Sequence, residues 1–431
     1  MKQNTSIILI LLLCRAGLAG ESAWQARMQE ANLLERQGRY GEARTAYLAA
    51  LDEAETFGPT DRRLAESLNN LAAHYFHGGK YAQAEPLYRR ALDLWKGLGP
   101  GERRDLAVTM NNLAALYRAQ SRYSEAEPLY VNALQVLEQT SGTESVDVAT
   151  GLNNLAELYR SEGKYGKAES AATRSLDIAE RAAGPESVKT AACLLTLAGV
   201  WRDLGRHDDA LPLLHRALTI WEVAVGPEHP QVASALGNLA EVYSSQRRFV
   251  EAEPLATRSL AIREKALGPE HPYVAVSLNN LAQIDRLQGR HAEAEPLYRR
   301  ALAIWEKNLG PDHPDRAKGL GNLADFYHER GREQAAESLL TRALAILEKA
   351  LGQDHPQVAS ISRDLADVYR AQGRFRRAAE MQQVALRIFE KTVGRDDPRY
   401  RESLERYARL LRQIQRPQEA TKIEATVNAL R

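Results

Sequence analysis

The sequence predicts an all-α protein, a solenoid of about ten stacked helical hairpins. Three observations lead there. A phrase of the form Leu-Asn-Asn-Leu-Ala returns every 42 residues. Within each unit apolar residues fall twice at helical spacing, and Gly-Pro phrases join one unit to the next. Composition agrees: of 431 residues 44% are hydrophobic and 26% charged, yet only 6 are Phe, and Ala, Leu, Glu and Arg outweigh the β-branched and aromatic residues of sheets.

The first element is a leader. Lys2 lies in a polar start, Ile7 to Cys14 is an unbroken apolar run, and Arg15-Ala16-Gly17-Leu18-Ala19-Gly20 ends in small residues. This is the order of a secretory signal peptide, residues 1–19, with cleavage expected after Ala19. The apolar run would span only ~12 Å as a helix, against a hydrocarbon core of ~30 Å, so no stable membrane span is expected. The export reading places the mature chain outside the cytoplasm, secreted or periplasmic. Lipid attachment at Cys14 is an alternative, although Leu13 stands where a lipoprotein signal carries a small residue.

The mature chain, residues 20–431, reads as a single solenoid. Leu68-Asn69-Asn70-Leu71-Ala72, Met110-Asn111-Asn112-Leu113-Ala114 and Leu152-Asn153-Asn154-Leu155-Ala156 set the register, and it continues to Leu404-Glu405-Arg406-Tyr407-Ala408. Helix pairs are expected at approximately 22–57, 61–98, 104–140, 146–182, 188–224, 230–266, 272–308, 314–350, 356–392 and 398–430. In the second pair Leu68, Leu71, Ala72 and Tyr75 form one apolar stripe, and Ala84, Leu87, Tyr88 and Ala91 form the other. Gly226-Pro227-Glu228-His229-Pro230 and its counterparts at 268 and 310 put Gly where a helix ends and Pro in the first turn of the next. Pro86, Pro128, Pro212, Pro254 and Pro296 lie about five residues into the second helices, where most N–H groups have no intrahelical acceptor to lose. A single hairpin cannot bury both stripes, so the hairpins must stack.

Charge excludes a class of partner. The chain carries 57 Lys plus Arg against 56 Asp plus Glu, a net charge of +1; without Lys2 and Arg15 the balance is 55 to 56. Nucleic acid, which demands a basic excess, is not an expected partner. Two cysteines, Cys14 and Cys193, exclude a disulfide framework or a multi-thiolate metal centre.

Ala72, Tyr75, Gly79, Ala84, Tyr88 and Ala91 stand at the spacing of the small and large residues of tetratricopeptide repeats. The 42-residue period and phrases such as Glu293-Ala294-Glu295-Pro296-Leu297-Tyr298-Arg299-Arg300-Ala301-Leu302 resemble in particular the repeats of kinesin light chain. The resemblance covers nearly the whole mature chain. It implies a right-handed superhelix with a concave groove that binds peptides or proteins. It does not imply motor attachment, since a leader stands here in place of a coiled-coil segment.

Two rows mark that groove. Asn70, Asn112, Asn154, Asn238, Asn280 and Asn322 lie about 160° around the first helix from its core stripe, with Thr196 interrupting. They are expected outside the core, at a cost of roughly 0.6 kcal/mol each in helix propensity relative to Ala. An Asn amide matches the N–H and C=O of an extended peptide, while repeat duplication or bonding between repeats would explain the row without a ligand. Six residues on, Arg118, Arg160, Arg202, Arg286, Arg370 and Arg412 recur, with Phe76, Ser244 and His328 in the other equivalent places. Arg can bracket an acidic ligand side chain, but Glu157, Glu241, Asp325 and Asp367 precede the row by three residues and can pair within the helix. Ala115 and Gly199 leave Arg118 and Arg202 without such an acid, so acid recognition is expected between Asn70 and Arg202.

Other constellations carry no chemistry. His229, His271, His313 and His355 are a whole repeat apart, too far to share a metal ion, and read as turn-packing residues. His74 and His77 supply two ligands with no third; Asp208-Asp209 and Asp396-Asp397 are charged turns. No nucleophile elbow, phosphate loop or zinc-protease helix is present. The expectation is a non-enzymatic, cofactor-free binding scaffold. The alternatives are a lipid-tethered envelope adaptor, a regulatory subunit of a separate enzyme, or a cytosolic cargo adaptor if the leader is misread.

Overall fold

The computed structural model describes residues 20–35, 39–78, 80–120, 122–309, 311–392, 394–395 and 397–430. The leader, with Cys14 and the bond after Ala19, lies outside the described residues, as do Gly79 and Asp396. Among the described residues the chain is all-α. The helices come in hairpins: α1 (20–35) with α2 (Tyr40–Glu55), α3 (Arg62–His77) with α4 (Tyr81–Gly97), and α5 (Arg103–Ala119) with α6 (Tyr123–Ser141). There follow α7 (Val146–Ser161) with α8 (Tyr165–Ala183), α9 (Val188–Asp203) with α10 (His207–Val225), α11 (Pro230–Ser245) with α12 (Phe249–Leu267), and α13 (Pro272–Leu287) with α14 (His291–Asn308). The last are α15 (Pro314–Glu329) with α16 (Glu333–Leu351), α17 (Pro356–Ala371) with α18 (Phe375–Thr392), and α19 (Pro398–Gln413) with α20 (Pro417–Ala429). None of these helices is long and apolar enough to cross a membrane.

Local chemistry sets the helix ends. His229, His271, His313 and His355 are N-caps: each ring Nδ1 accepts the backbone N–H two residues on, a role that Asp61 and Asp397 fill with a carboxylate. The turn-packing reading therefore missed their bonding function. Gly226 has φ +88°, a left-handed conformation that costs glycine little and ends α10. The internal prolines do not break their helices; α4, α6, α10, α12 and α14 run through Pro86, Pro128, Pro212, Pro254 and Pro296.

Two compact units result, residues 1–120 with 124–154, and residues 121–123 with 155–431. In the first, Trp24, Tyr47, Leu64, Leu68 and Leu71 form a core under α1 to α4. In the second, Tyr298, Leu320, Leu323 and Phe326 belong to a core that continues to Phe389 and Leu404. Small residues set the spacing: Ala294, Ala301 and Ala317 are wholly buried, and a Cβ added at Gly319 would stand 2.6 Å from Trp305. Burial of each large side chain is worth roughly 1.5–3 kcal/mol, which is why hairpins that expose these faces singly are stable only in a stack.

The second unit curves with its first helices inside. Each of α9, α11, α13 and α15 touches the next first helix, in addition to its own hairpin partner. The curvature brings distant hairpins of this unit together. His355 Nε2 donates to the Ser161 carbonyl at 2.9 Å, across 194 positions of sequence. Beside this bond Pro356 packs on Gly163 so closely that a Cβ there would be 2.6 Å from its Cγ. The Arg399 guanidinium lies 5.8 Å from the Tyr165 ring centre. The inner face of this unit is thus bounded by a seam between α7–α8 and the starts of α17 and α19.

Candidate functional site

The Asn row lies on the first helices, and in both units its amides bond mainly to the protein itself. In the first unit Asn112 Nδ2 donates to Asn69 Oδ1 at 3.0 Å, and Asn70 Oδ1 accepts from Asn69 at 3.3 Å. Asn154 is half-buried. In the second unit Asn322 Nδ2 donates to Asn279 Oδ1 at 2.9 Å, and Asn238 Nδ2 donates to the Ser234 carbonyl at 3.0 Å. Asn280 corrects an expectation: it is buried, 6% exposed, and donates to Glu241 Oε1 at 2.7 Å. Neighbouring first helices sit close enough on the inside of the curve for a short amide to span them, and the exposure assumed from one helix alone is lost.

The Arg row is engaged in the same way. Arg160 lies between Glu157 Oε2 at 3.0 Å and Asp203 Oδ2 at 2.9 Å. Those two carboxylates hold its guanidinium above arginine's ordinary range, against the pull of burial. Arg202 donates to Asp203 Oδ1 at 2.9 Å, to Asn238 Oδ1 at 2.6 Å, and to Glu241. An open guanidinium at Arg202 was expected because Gly199 precedes it; instead Glu241 arrives from the next repeat, and the Arg160 side chain lies beside Gly199. Arg286 pairs with Glu329, Arg370 lies 3.6 Å from Asp367, and Arg412 pairs with Glu424 at 2.7 Å. Arg118 is half-buried in the first unit.

These pairs form an ion ladder along the inner face of the second unit. Burial pushes the Asp203 and Glu241 carboxyls up, but the facing cations outweigh it and leave both below their usual range. Farther along the sign reverses. Asp325 and Asp364, on adjacent first helices, are raised to about 8 and about 6, by burial first and then by neighbouring carboxylates. Sequence reasoning missed Asn69, Asn279, Asp203, Lys318 and Asp364. For Asn69, Asn279 and Asp203 the signal was available in the offset, since each partner lies 43 residues away, one repeat and one position; Lys318 and Asp364 carry no such mark.

Arg202, Glu241, Ser244, Asn280, Gln283 and Lys318, from four successive first helices, line one pocket of about 220 Å³. Ala240, Ile284 and Leu287 supply its apolar wall. Among the described residues no group of three His, Cys, Asp or Glu side chains could hold a metal ion. His74 Nδ1 instead meets Glu35 Oε2 at 2.6 Å.

Stacked helical hairpins with a polar inner face define a helical repeat protein of the scaffold type. The chain belongs to the tetratricopeptide repeat family, whose pattern matches residues 24–97, 105–181, 189–265, 239–307, 273–349 and 315–391. Among solved structures it is similar to the nearly identical TPR-like repeats of a Podosopora anserina protein described as a kinesin light chain. The identity there is 31% over 47% of this chain and 96% of that one, with a TM-score of 0.41. BtubC (BKLC) from P. vanneervenii is 24% identical over 53% of this chain and 92% of its own, with a TM-score of 0.44. A Rap protein solved in complex with competence and sporulation factor is 17% identical over 87% of this chain and 99% of its own, with a TM-score of 0.62, and shares the fold. No curated protein matches the sequence.

Proposed function

We propose that the chain is a non-enzymatic scaffold that binds a protein or an extended peptide on the inner face of its hairpin stack. The observation that carries this reading is the convergence of side chains from α9, α11, α13 and α15 on one pocket. An extended ligand crossing successive first helices meets hydrogen-bonding groups roughly every 8–10 Å, about every third residue of a strand. The Rap protein of similar fold was solved with a bound factor, which fits a ligand-holding role for such a stack. We place the scaffold outside the cytoplasm, with residues 1–19 removed as a signal peptide, and expect neither cofactor nor nucleic acid.

Site-specific photocrosslinking tests the binding reading. A photoreactive residue at Gln283 or Lys318 should give one discrete protein adduct in the native host, and the same residue at the exposed Val250 should not. Equal labelling from both positions would end the inner-face reading. Mass measurement of the mature N-terminus tests export, with Gly20 expected.

A further inference from the structure

The Arg row is broken at Ser244, and the break coincides with the pocket. Arg160, Arg202 and Arg286 occupy the equivalent position and each meets a carboxylate. Ser244 is 7% exposed, and its hydroxyl has no hydrogen-bond partner. A buried hydroxyl left unpaired is costly, so one that lines a cavity of about 220 Å³ marks a place where another group completes the structure.

The chemistry of the lining selects that group. Both oxygens of Glu241 are already taken, one by Asn280 at 2.7 Å and the other by Arg202. The charge of this carboxylate is thus already met by Arg202 from within the protein. The unpartnered lining can all donate: the Ser244 hydroxyl and the Gln283 amide donate or accept, and the Lys318 ammonium donates only. Gln283 is half-buried and Lys318 exposed, and neither has a hydrogen bond or an ion pair among the described residues. The local charge has the same sign. Buried Arg263 forms no ion pair among the described residues and donates to Ser277 Oγ at 2.9 Å and the Tyr273 carbonyl at 3.2 Å, while Asp203 is shared by Arg160 and Arg202. Arg202, Lys318 and Arg263 all act on Glu241.

We propose that this pocket receives the carboxylate of an Asp or Glu side chain of an extended peptide, with Lys318 as counter-ion and Ser244 and Gln283 as donors. The proposal rests on the peptide-binding reading above. Ala240, Ile284 and Leu287 accept the methylenes that lead to the carboxylate. Acid selection therefore sits where the Arg row fails, because elsewhere in this unit the protein's own acids occupy the row.

The test is selection of a random dodecapeptide display library on residues 20–431, followed by affinity measurement with the best synthetic peptide. The expected result is one fixed Asp or Glu among enriched peptides, with its amide analogue bound about tenfold or more weakly. Lys318→Gln should weaken the acidic peptide by a similar factor, and Lys318→Glu should shift selection to Lys or Arg at that position. Ser244→Ala, which removes one donor from the pocket, should weaken the acidic peptide as well; Lys318, being exposed, keeps the test valid should that variant unfold. Enrichment without a fixed acid, or an acid indifferent to Lys318→Glu, overturns the pocket proposal and leaves groove binding standing. No enrichment at all overturns both.

Discussion

Asn112 reaches back one repeat to Asn69 at 3.0 Å, and Asn322 does the same to Asn279 at 2.9 Å. The Asn at the third place of one phrase meets the Asn at the second place of the phrase before it, so the repeated phrase is in part a rivet between hairpins. Asn112→Ala is expected to change stability little, because a lost bond of about 1 kcal/mol is offset by roughly 0.6 kcal/mol of helix propensity. A double-mutant cycle with Asn69→Ala cancels the propensity and should return a coupling of about 0.5–1 kcal/mol in urea unfolding. A coupling of zero would show the contact to be incidental.

Arg202 neutralises two carboxylates at once, and its removal leaves Asp203 and Glu241 partly uncompensated. Arg202→Ala should cost about 2–3 kcal/mol at pH 7, somewhat below the loss for a fully buried pair. The sign of the pH effect is fixed by the depressed carboxyls: their stabilisation is present above the unfolded values near 4 and is lost as pH falls through the lower folded values. The deficit of the variant should accordingly shrink below about pH 4. A pH series of thermal melts checks this.

His229 caps α11 through an unprotonated Nδ1, and burial lowers its pKa. The folded state therefore binds fewer protons than the unfolded one, and the cap's contribution is lost as pH drops below the ordinary value of about 6.5. His229→Asp should keep the cap, as Asp61 and Asp397 do, and flatten the stability profile between pH 6.5 and 5 by about 0.5–1 kcal/mol. An unchanged slope would remove His229 from the acid response.

Asp325 behaves oppositely. Burial and the adjacent Asp364 raise its carboxyl to about 8, so charging it at rising pH works against the folded state. Asp325→Asn is expected to raise the melting temperature at pH 8 by roughly 2–4 °C, the effect of about 1 kcal/mol in a unit of this size. At pH 4 the gain should vanish. A destabilised variant at pH 8 would mean that Asp325 serves as the counter-ion of Arg286.

At the seam, Gly163 has φ +73° and Pro356 fills the space where a side chain would begin. Gly163→Ala should separate the two sides. A spin-label pair across them, placed on a Cys193→Ser background, should then report a longer distance than in the parent. An unchanged distance with unchanged stability would show that the contact yields freely.

Much of this was legible in the residues. The 42-residue phrase, the paired apolar stripes and the Gly-Pro links specify hairpins, since each reflects chemistry within one or two turns of helix. The rows of Asn and Arg were legible as rows, but their partners were not. A single helix offers Arg202 only Gly199, whereas the fold offers Glu241 from the repeat that follows. Ser244 was visible only as an interruption, and its meaning needed the positions of Gln283 and Lys318. The seam leaves no local mark, because it depends on a small rotation per hairpin summed over five repeats.

That summed rotation also changes how the second unit should come apart. An open stack of repeats behaves as a line of neighbours, and it frays from either end at the cost of one interface at a time. The bond from His355 to Ser161 adds a link between members that the chain alone would keep remote, so the hairpins from α8 to α17 have no free terminus. Opening one interface still leaves them held round the other way, and two must break before any hairpin departs. Hydrogen exchange in this span should therefore converge on a single opening free energy, where an unclosed stack would show a gradient along its length.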